Sequence, residues 1–527
     1  MALLVPNVTL PEGADEAEVV ARLIGVPPGA VQLVRRSLDA RQRLPRWVAV
    51  FRVEVADEAA VLARGLPGVR VWTARDVGRY GLDAAAPPLR RFPPTVRPIV
   101  VGAGPAGLFA ALYLAEAGAP VTLLERGAAV DARVGRVNGH WRGKEALDPE
   151  TNLVFGEGGA GTFSDGKIYT RRRDGELGYI FRKLVSFGAD EDVIKDGLAH
   201  LGTDRIRALL PTFRERLQQL GVDVRFDSRV VDLLVGNGAC HGVVLADGTV
   251  LDGAPVLIAA GHSARDTAQM LVEAGAAAQP RGIAIGARVE HPQTLIDKAR
   301  YGRERGALPP ATYRLSLDTD AVRARTFCMC PGGMVVPASN HAGRVVVNGM
   351  SFAARGSYWA NSAVIVEVPV EAYGANDALA GFRFQDAIER RAFLLAKSTG
   401  AAPAQRVGDL LAGRPSTDLP RTSYPLGVVP VDLQELFDDR IITGMRAAVR
   451  SFEETIPGFA GPEAVLIAPE TRTTSPVRFV RDERQCSTTV RDLFPIGEGA
   501  GYAGGIVSSA LDGLRAARAI AEAAPAR

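Results

Sequence analysis

Four cysteines (Cys240, Cys328, Cys330, Cys486) in 527 residues are too few for a disulfide framework, and they fit a reducing compartment. No run of 18 apolar residues occurs, so no transmembrane helix is expected. The opening MALLVPNVTLPEG has neither a basic start nor a long apolar core and does not read as a signal peptide, so a cytoplasmic location is expected. Excess charge is also scarce. The net charge of +3 is too small to imply DNA or another polyanion as partner. Residues 1 to 97 hold 14 Arg, no Lys and 10 acids, a mild basic bias only. No second Cys pair and no His pair has zinc-ligand spacing, so no metal is expected. Repeats and low-complexity tracts are missing too. What remains is a globular composition, 47% hydrophobic and 23% charged, long enough for two or three domains.

The most informative stretch is VVGAGPAGLFAALYLAEAGAPVTLLERG, residues 100 to 127. An apolar strand runs into Gly102-Ala-Gly104-Pro105-Ala106-Gly107, then a helical pattern, then a second strand ending at Glu125 and Arg126. Gly102 permits the tight turn, Gly104 lets backbone approach a pyrophosphate, and Gly107 allows close helix–strand packing. The helix start offers free N–H groups and a positive dipole end. Glu125, 21 residues beyond Gly104, stands where an acid accepts hydrogen bonds from an adenosine ribose.

A second signal lies in FPIGEGAGYAGGIVSSALDG, residues 494 to 513. A strand ends at Gly497-Glu498, and a glycine-rich turn leads through Gly504 and Gly505 into a helix from Ile506. An acid there suits a ribityl hydroxyl, and a helix N-terminus stabilises negative charge on a reduced flavin ring. Between these two signals, GEGGAGTFSDG at 156 to 166 reads as a loop passing the cofactor. Gly158, Gly159 and Gly161 allow backbone approach there, and Thr162 and Ser164 offer hydroxyls. The cofactor expected is FAD.

Periodicity and punctuation divide the chain. Residues 1–83 read as βαββαβ, a ferredoxin-like α+β accessory domain. A proline-rich linker follows at 84–97. Residues 98–281 form the first part of a Rossmann-like FAD-binding domain, with a helical excursion at 174–220. Residues 282–470 form an antiparallel-sheet substrate domain, strand-rich to 370 and helical with loops from 375 to 420. Residues 471–527 return to the FAD domain. The fold class is α/β with these domains interleaved.

These residues carry a resemblance. The chain resembles the glutathione-reductase-type FAD superfamily. More closely it resembles a bacterial family of FAD-dependent dehydrogenases, distant relatives of electron-transfer-flavoprotein dehydrogenases. The matching stretches are NLVFGEGGAGTFSDGK (152 to 167), FCMCPGGMVV (327 to 336), VNGMSFAARGSYWANSAV (347 to 364), ETRTTSPVR (470 to 478) and GEGAGYAGGI. The resemblance implies an FAD-dependent oxidoreductase, and it names no substrate. A separate electron donor or acceptor fits this picture. Two further readings stay open: a flavoprotein associated with RNA modification, and an electron-transfer or redox-sensing module with no small substrate of its own.

For the chemistry, Cys328-Met-Cys330 before Pro331-Gly-Gly stands out. In a regular strand the two share a face, with Cα atoms about 6.6 Å apart, near the upper limit for a disulfide. A bridge there needs a local bend. The readings are a dithiol near the flavin or two buried small hydrophobes. His291 is a candidate proton carrier or a core histidine. Arg288, Tyr358 and Asn361 are candidate substrate contacts. Arg472 and Arg478 are candidate carboxylate clamps or ordinary ion-pair partners. Only one GxGxxG occurs, so no dedicated NAD(P)H domain is expected.

Overall fold

The computed structural model describes residues 1–11, 14–39, 45–80, 88–169, 175–197 and 199–526. The N-terminal region is a four-stranded antiparallel sheet in the order Val31–Asp39, Arg46–Glu54, Ala2–Leu10, Arg70–Val71. Alternation along Arg46–Glu54 puts Ala49, Phe51 and Val53 inside, all fully buried. They pack on Val20 and Ile24 of helix Glu16–Ile24. That helix begins at Asp15, whose carboxylate accepts from the N–H groups of Ala17 and Glu18. Part of the proline-rich linker, residues 84–87, lies outside the described residues, as do Arg171 to Arg173.

The second body is a parallel sheet in the order Leu493–Pro495, Val256–Ile258, Ile99–Val101, Thr122–Leu124, Asp223–Arg225. The strands Ile99–Val101, Val256–Ile258 and Leu493–Pro495 are short and wholly apolar, as a sheet covered on both faces requires, while the edge strand Asp223–Arg225 is polar. Helix Pro105–Glu116 follows the central strand and is buried nearly all round. Helix Ile506–Ala523 lies against it so closely that a Cβ on Gly513 would come 2.0 Å from the carbonyl oxygen of Ala106. The excursion is helical, with Leu177–Ser186, Asp192–Lys195 and Thr203–Gln219.

The third body is a seven-stranded sheet in the order Ser316–Asp318, Arg323–Cys330, Trp359–Val368, Ile283–Pro292, Val465–Glu470, Ala402–Arg406, Val428–Pro430. It is antiparallel except for its last pair. One of these strands falls where the sequence reads as helix and loop. Ala402–Arg406 reads APAQR, with no alternation, and it is a strand because Val465–Glu470 and Val428–Pro430 pair with it. Helix Asp439–Thr455 packs an apolar stripe (Ile441, Met445, Ala448, Val449, Phe452) on this sheet.

Candidate functional site

The three glycines of the first turn do different work. Gly102 has φ +106°, and a Cβ there would lie 2.5 Å from Ala259 O. A Cβ on Gly107 would lie 1.9 Å from Gly102 O. These two glycines serve packing. Gly104 is different, because a Cβ on it would meet only Gly159 Cα, at 3.9 Å. It faces open space at the start of helix Pro105–Glu116, where the first N–H groups have no intrahelical partner.

Glu125 is 5% exposed and accepts from the N–H groups of Ala103 (2.7 Å), Gly127 (3.0 Å) and Gly156 (3.0 Å). It thereby ties the turn to the loop at 156–166. A carboxylate has about four acceptor positions, so one remains for a ligand hydroxyl. Arg126 is engaged elsewhere: it pairs with Asp266 (3.0 Å) and Glu150 (2.6 Å) and stacks over Phe155. The loop is shaped from beneath by Arg133, fully buried, which donates to the carbonyls of Asn152, Leu153 and Glu157. Thr162 and Ser164 give their hydroxyls to the loop's own carbonyls of Glu157 (3.0 Å) and Gly161 (2.8 Å).

That loop reaches both glycine turns. A Cβ on Gly159 would lie 3.1 Å from Gly104 Cα, and one on Gly161 would lie 3.2 Å from Ile506 Cγ1 and 4.0 Å from Pro105 Cγ. Two helix starts about 400 positions apart in sequence therefore meet across one loop. At the second start, Gly504 has no neighbour within 4 Å of a built Cβ, and Gly505 has only Ser508 Oγ at 4.0 Å. Gly261 (φ +73°), beyond strand Val256–Ile258, is equally open. The N–H of Gly497 is held at 2.7 Å by Asp512, whose carboxylate takes both Nη atoms of Arg481. Glu498 faces His262 Nδ1 at 3.4 Å, and His262 Nε2 is 2.9 Å from Arg472 O. Burial pushes the His262 pKa down, but the charge and hydrogen bond of Glu498 outweigh it, and the net shift is upward. Open glycine faces at two helix N-termini, with an acid beside each, fit a dinucleotide's pyrophosphate and its polar ring edge.

Beyond the loop, Lys167 enters a polar cluster on the antiparallel sheet. Its ammonium is 3.0 Å from Asp165 and 4.0 Å from Cys328 Sγ, and it donates to Met329 O. Arg288 is fully buried. It donates to Asn361 Oδ1 (2.9 Å), Asn348 Oδ1 (3.1 Å), Glu470 Oε2 (2.9 Å) and Cys328 O (2.7 Å), and lies 3.8 Å from Cys330 Sγ. Arg355 completes the ring by pairing with Asp165 at 3.0 Å. Three side chains here keep a buried polar atom without a partner among the described residues: Asn361 Nδ2, Arg355 Nε and His200 Nε2. Cys328, Cys330, Arg288 and Asn361 thus come together, and all were expected from sequence. Lys167, Asp165, Glu470 and His262 join them and were not. The sequence signals were their places at the end of the glycine loop (Asp165, Lys167), after the small-residue strand (His262) and at the start of ETRTTSPVR (Glu470).

The other candidates lie elsewhere. His291 is in the core, its ring 4.6 Å from that of Phe459 and its Nε2 2.8 Å from Phe459 O. Burial lowers its pKa to about 4. Arg472 spends its donors on Glu389 and Asn340, the ion-pairing role that the sequence also allowed. Tyr358 is 55% exposed, with its hydroxyl 3.1 Å from Glu463. Arg478 is exposed over the ring of Tyr502, beside Gly501. An open groove of about 620 Å³, lined among others by Arg265, Phe382 and Leu394, includes neither the glycine turns nor the cysteines. The donor set, not that groove, locates the chemistry.

Residues 282–473 match the model of the family "FAD-dependent protein, C-terminal domain-like", and residues 100–142 match "NAD(P)-binding Rossmann-like domain". An uncharacterized protein of Clostridium beijerinckii (strain ATCC 51743 / NCIMB 8052) is 39% identical over 432 residues, 81% of each chain. Among solved structures, the flavin-dependent brominase Bmp2 is 13% identical, covers 81% of this chain and 78% of its own, and has a TM-score of 0.38. A geranylgeranyl bacteriochlorophyll reductase-like protein of Thermoplasma acidophilum is 14% identical, with coverage of 81% and 79% and a TM-score of 0.36. CtdE in complex with FAD is 12% identical, with coverage of 81% and 84% and a TM-score of 0.32. Scores this low carry no argument about mechanism. Identity at the level of the clostridial relative does show kinship: the chain belongs to the family of FAD-dependent proteins that share this C-terminal domain, and it is an FAD-dependent oxidoreductase.

Proposed function

We propose that the chain acts on a small molecule held between the flavin and the antiparallel sheet, with hydride passing to or from flavin N5. Bound FAD supplies the redox step. Gly104 and the helix start at Pro105 and Ala106 would face the pyrophosphate and Glu125 the ribose, while Gly102 and Gly107 shape the turn that presents them. Gly158, Gly159 and Gly161 form the wall, and Gly497, Glu498, Gly504, Gly505 and Ile506 hold the ring end. The observation that carries this reading is the loop 156–167, which starts against Gly104 and ends with Lys167 beside Cys328. One segment thereby spans the cofactor cradle and the polar cluster on the sheet. Asn361 Nδ2, buried and unpartnered beside Arg288, is the donor for an acceptor oxygen of the substrate. Arg288 has its donors satisfied and serves as a positioning residue.

The domain division at 83, 97, 281 and 470 is retained in this reading. The N-terminal strand order and its two packed helices support a ferredoxin-like accessory fold. An RNA-binding role for that region is not favoured. Arg36 is taken by Glu16, Asp192 and Asp196, Arg70 by Asp76, and Arg64 by the carbonyls of Leu23 and Ile24. The test is a panel of metabolites and electron donors mixed with the oxidised or reduced enzyme. A defined small molecule that reduces or reoxidises the flavin in steady turnover is expected. Flavin reoxidised only by protein or quinone-type acceptors, with no small donor, would favour the electron-transfer reading.

A further inference from the structure

The strand Arg323–Cys330 carries one residue too many. Phe327 stands opposite Ala363, but the next register pair joins Cys330, not Met329, to Asn361. The extra residue makes a bulge, and Cys328 in it has φ +48°. Such a backbone is uncommon for a residue with a side chain and persists only where its surroundings hold it. Here two donors hold the Cys328 carbonyl: Arg288 Nη2 at 2.7 Å and the thiol of Cys330 at 3.2 Å. The bend that a regular strand would lack is therefore present between the two cysteines.

The charges around the sulfurs are arranged by sign. Lys167 stands at Cys328 Sγ and Arg288 at Cys330 Sγ. The acids Asp165 and Glu470 are each paired with a cation, Lys167 and Arg355 for the first and Arg288 for the second. His200, on the segment before helix Thr203–Gln219, adds no positive charge near neutral pH, because burial lowers its pKa to about 4. The neighbouring Cys330 thiol, with Lys167 and Arg288, pulls the Cys328 thiol well below its ordinary range, and Cys330 is in turn pushed above its own. Cys328 is partly accessible, Cys330 is buried, and both are free thiols.

The cluster is also bracketed by both cofactor segments. Lys167 ends the loop that begins at the Gly104 turn. Glu470 precedes Arg472, whose carbonyl meets His262, the partner of Glu498.

We propose that Cys328 and Cys330 form a redox-active dithiol that exchanges an electron pair with the bound FAD, a proposal that rests on the oxidoreductase reading above. Oxidation forms one Cys328–Cys330 S–S bond from a thiolate and a thiol. The Cys330 S–H bond breaks and its proton leaves. The electron pair and one proton reduce FAD to its anionic hydroquinone, so charge and hydrogen balance. The reverse step reopens the bridge. Lys167 acts as a positioning residue that holds the thiolate.

Two measurements decide it. In anaerobic reductive titration, wild type shown by mass spectrometry to be disulfide-bonded should take up about four electrons per chain, two for each couple. Cys328→Ser and Cys330→Ser should each fall to about two, with FAD content unchanged. Independently of the flavin, iodoacetamide labelling of the reduced chain should modify Cys328 at pH values below the ordinary thiol range. Lys167→Met should move that profile upward. An uptake of two electrons by the bridged wild type, or thiols that never bridge under oxidant, would overturn the proposal. A chain without FAD would instead fail the cofactor reading, and the labelling profile and bridge formation would still judge the pair.

Discussion

Arg472 donates through Nε and Nη2 to the two carboxylate oxygens of Glu389, at 3.0 and 2.8 Å, where Glu389 is wholly buried. Glu389 also takes Arg265 at 2.8 Å and the hydroxyl of Thr471 at 2.7 Å. The pair joins helix Ala380–Leu395 to the segment after strand Val465–Glu470. Neutralising the acid leaves the Arg472 guanidinium without a countercharge in a buried site, while Arg265 keeps Asp386 at 2.7 Å. Glu389→Gln should therefore cost roughly 3–5 kcal/mol of stability. Thermal unfolding should show a lowered midpoint, and an unchanged midpoint would mean the pair is dispensable.

The open face of Gly104 makes the second prediction. Gly104→Val places a branched side chain where the pyrophosphate must lie, without striking the protein itself. The variant should fold with a normal far-UV spectrum and release no FAD on heating. Retained FAD would move the pyrophosphate away from this turn.

Reduction by pyridine nucleotide should be slow. One GxGxxG motif is present, and the proposed site assigns it to FAD. Anaerobic stopped-flow mixing with NADH or NADPH should show no saturable phase at micromolar nucleotide. A fast, saturable phase would reveal a nicotinamide site on another part of the chain.

Two histidines set opposite pH dependences. His262 has its pKa raised above 6.5 by Glu498, so its contribution is full below that value and is lost as pH rises through the raised pKa. His291 is held neutral down to about 4, so the unfolded chain binds the extra proton between about 6.5 and 4 and stability falls as pH drops through that window. Urea midpoints against pH should lose the first dependence in Glu498→Gln and the second in His291→Gln. Parallel curves for all three proteins would remove both assignments.

The cofactor turns were legible in sequence because each is a local event. Gly102, Gly104 and Gly107 answer to strand, turn and helix within six positions, and Gly504 and Gly505 precede a helix start in the same way. The cluster on the sheet was only half legible. Cys328 and Cys330 announce themselves by type, but the bulge that turns Cys328 has no local signature, since it is a mismatch of register with Trp359–Val368. Lys167 reaches Cys328 through the loop, and Glu470 meets Arg288 from the strand beside it, both distant in sequence. Arg472 stayed open between a clamp and an ion pair for the same reason: its partner Glu389 lies 83 positions away. His291 sits on the same strand as Arg288, yet its side chain joins the core around Phe459.

The pairing of the two glycine turns also orders events in time. The strand Leu493–Pro495 and the helix Ile506–Ala523 leave the ribosome after the whole seven-stranded sheet, yet they supply one wall of the cradle that opens at Gly104. Until they arrive, the turn at Gly104 and the loop at 156–166 have no partner at Ile506. The cradle is thus complete only once the C-terminal segment has joined a sheet already made.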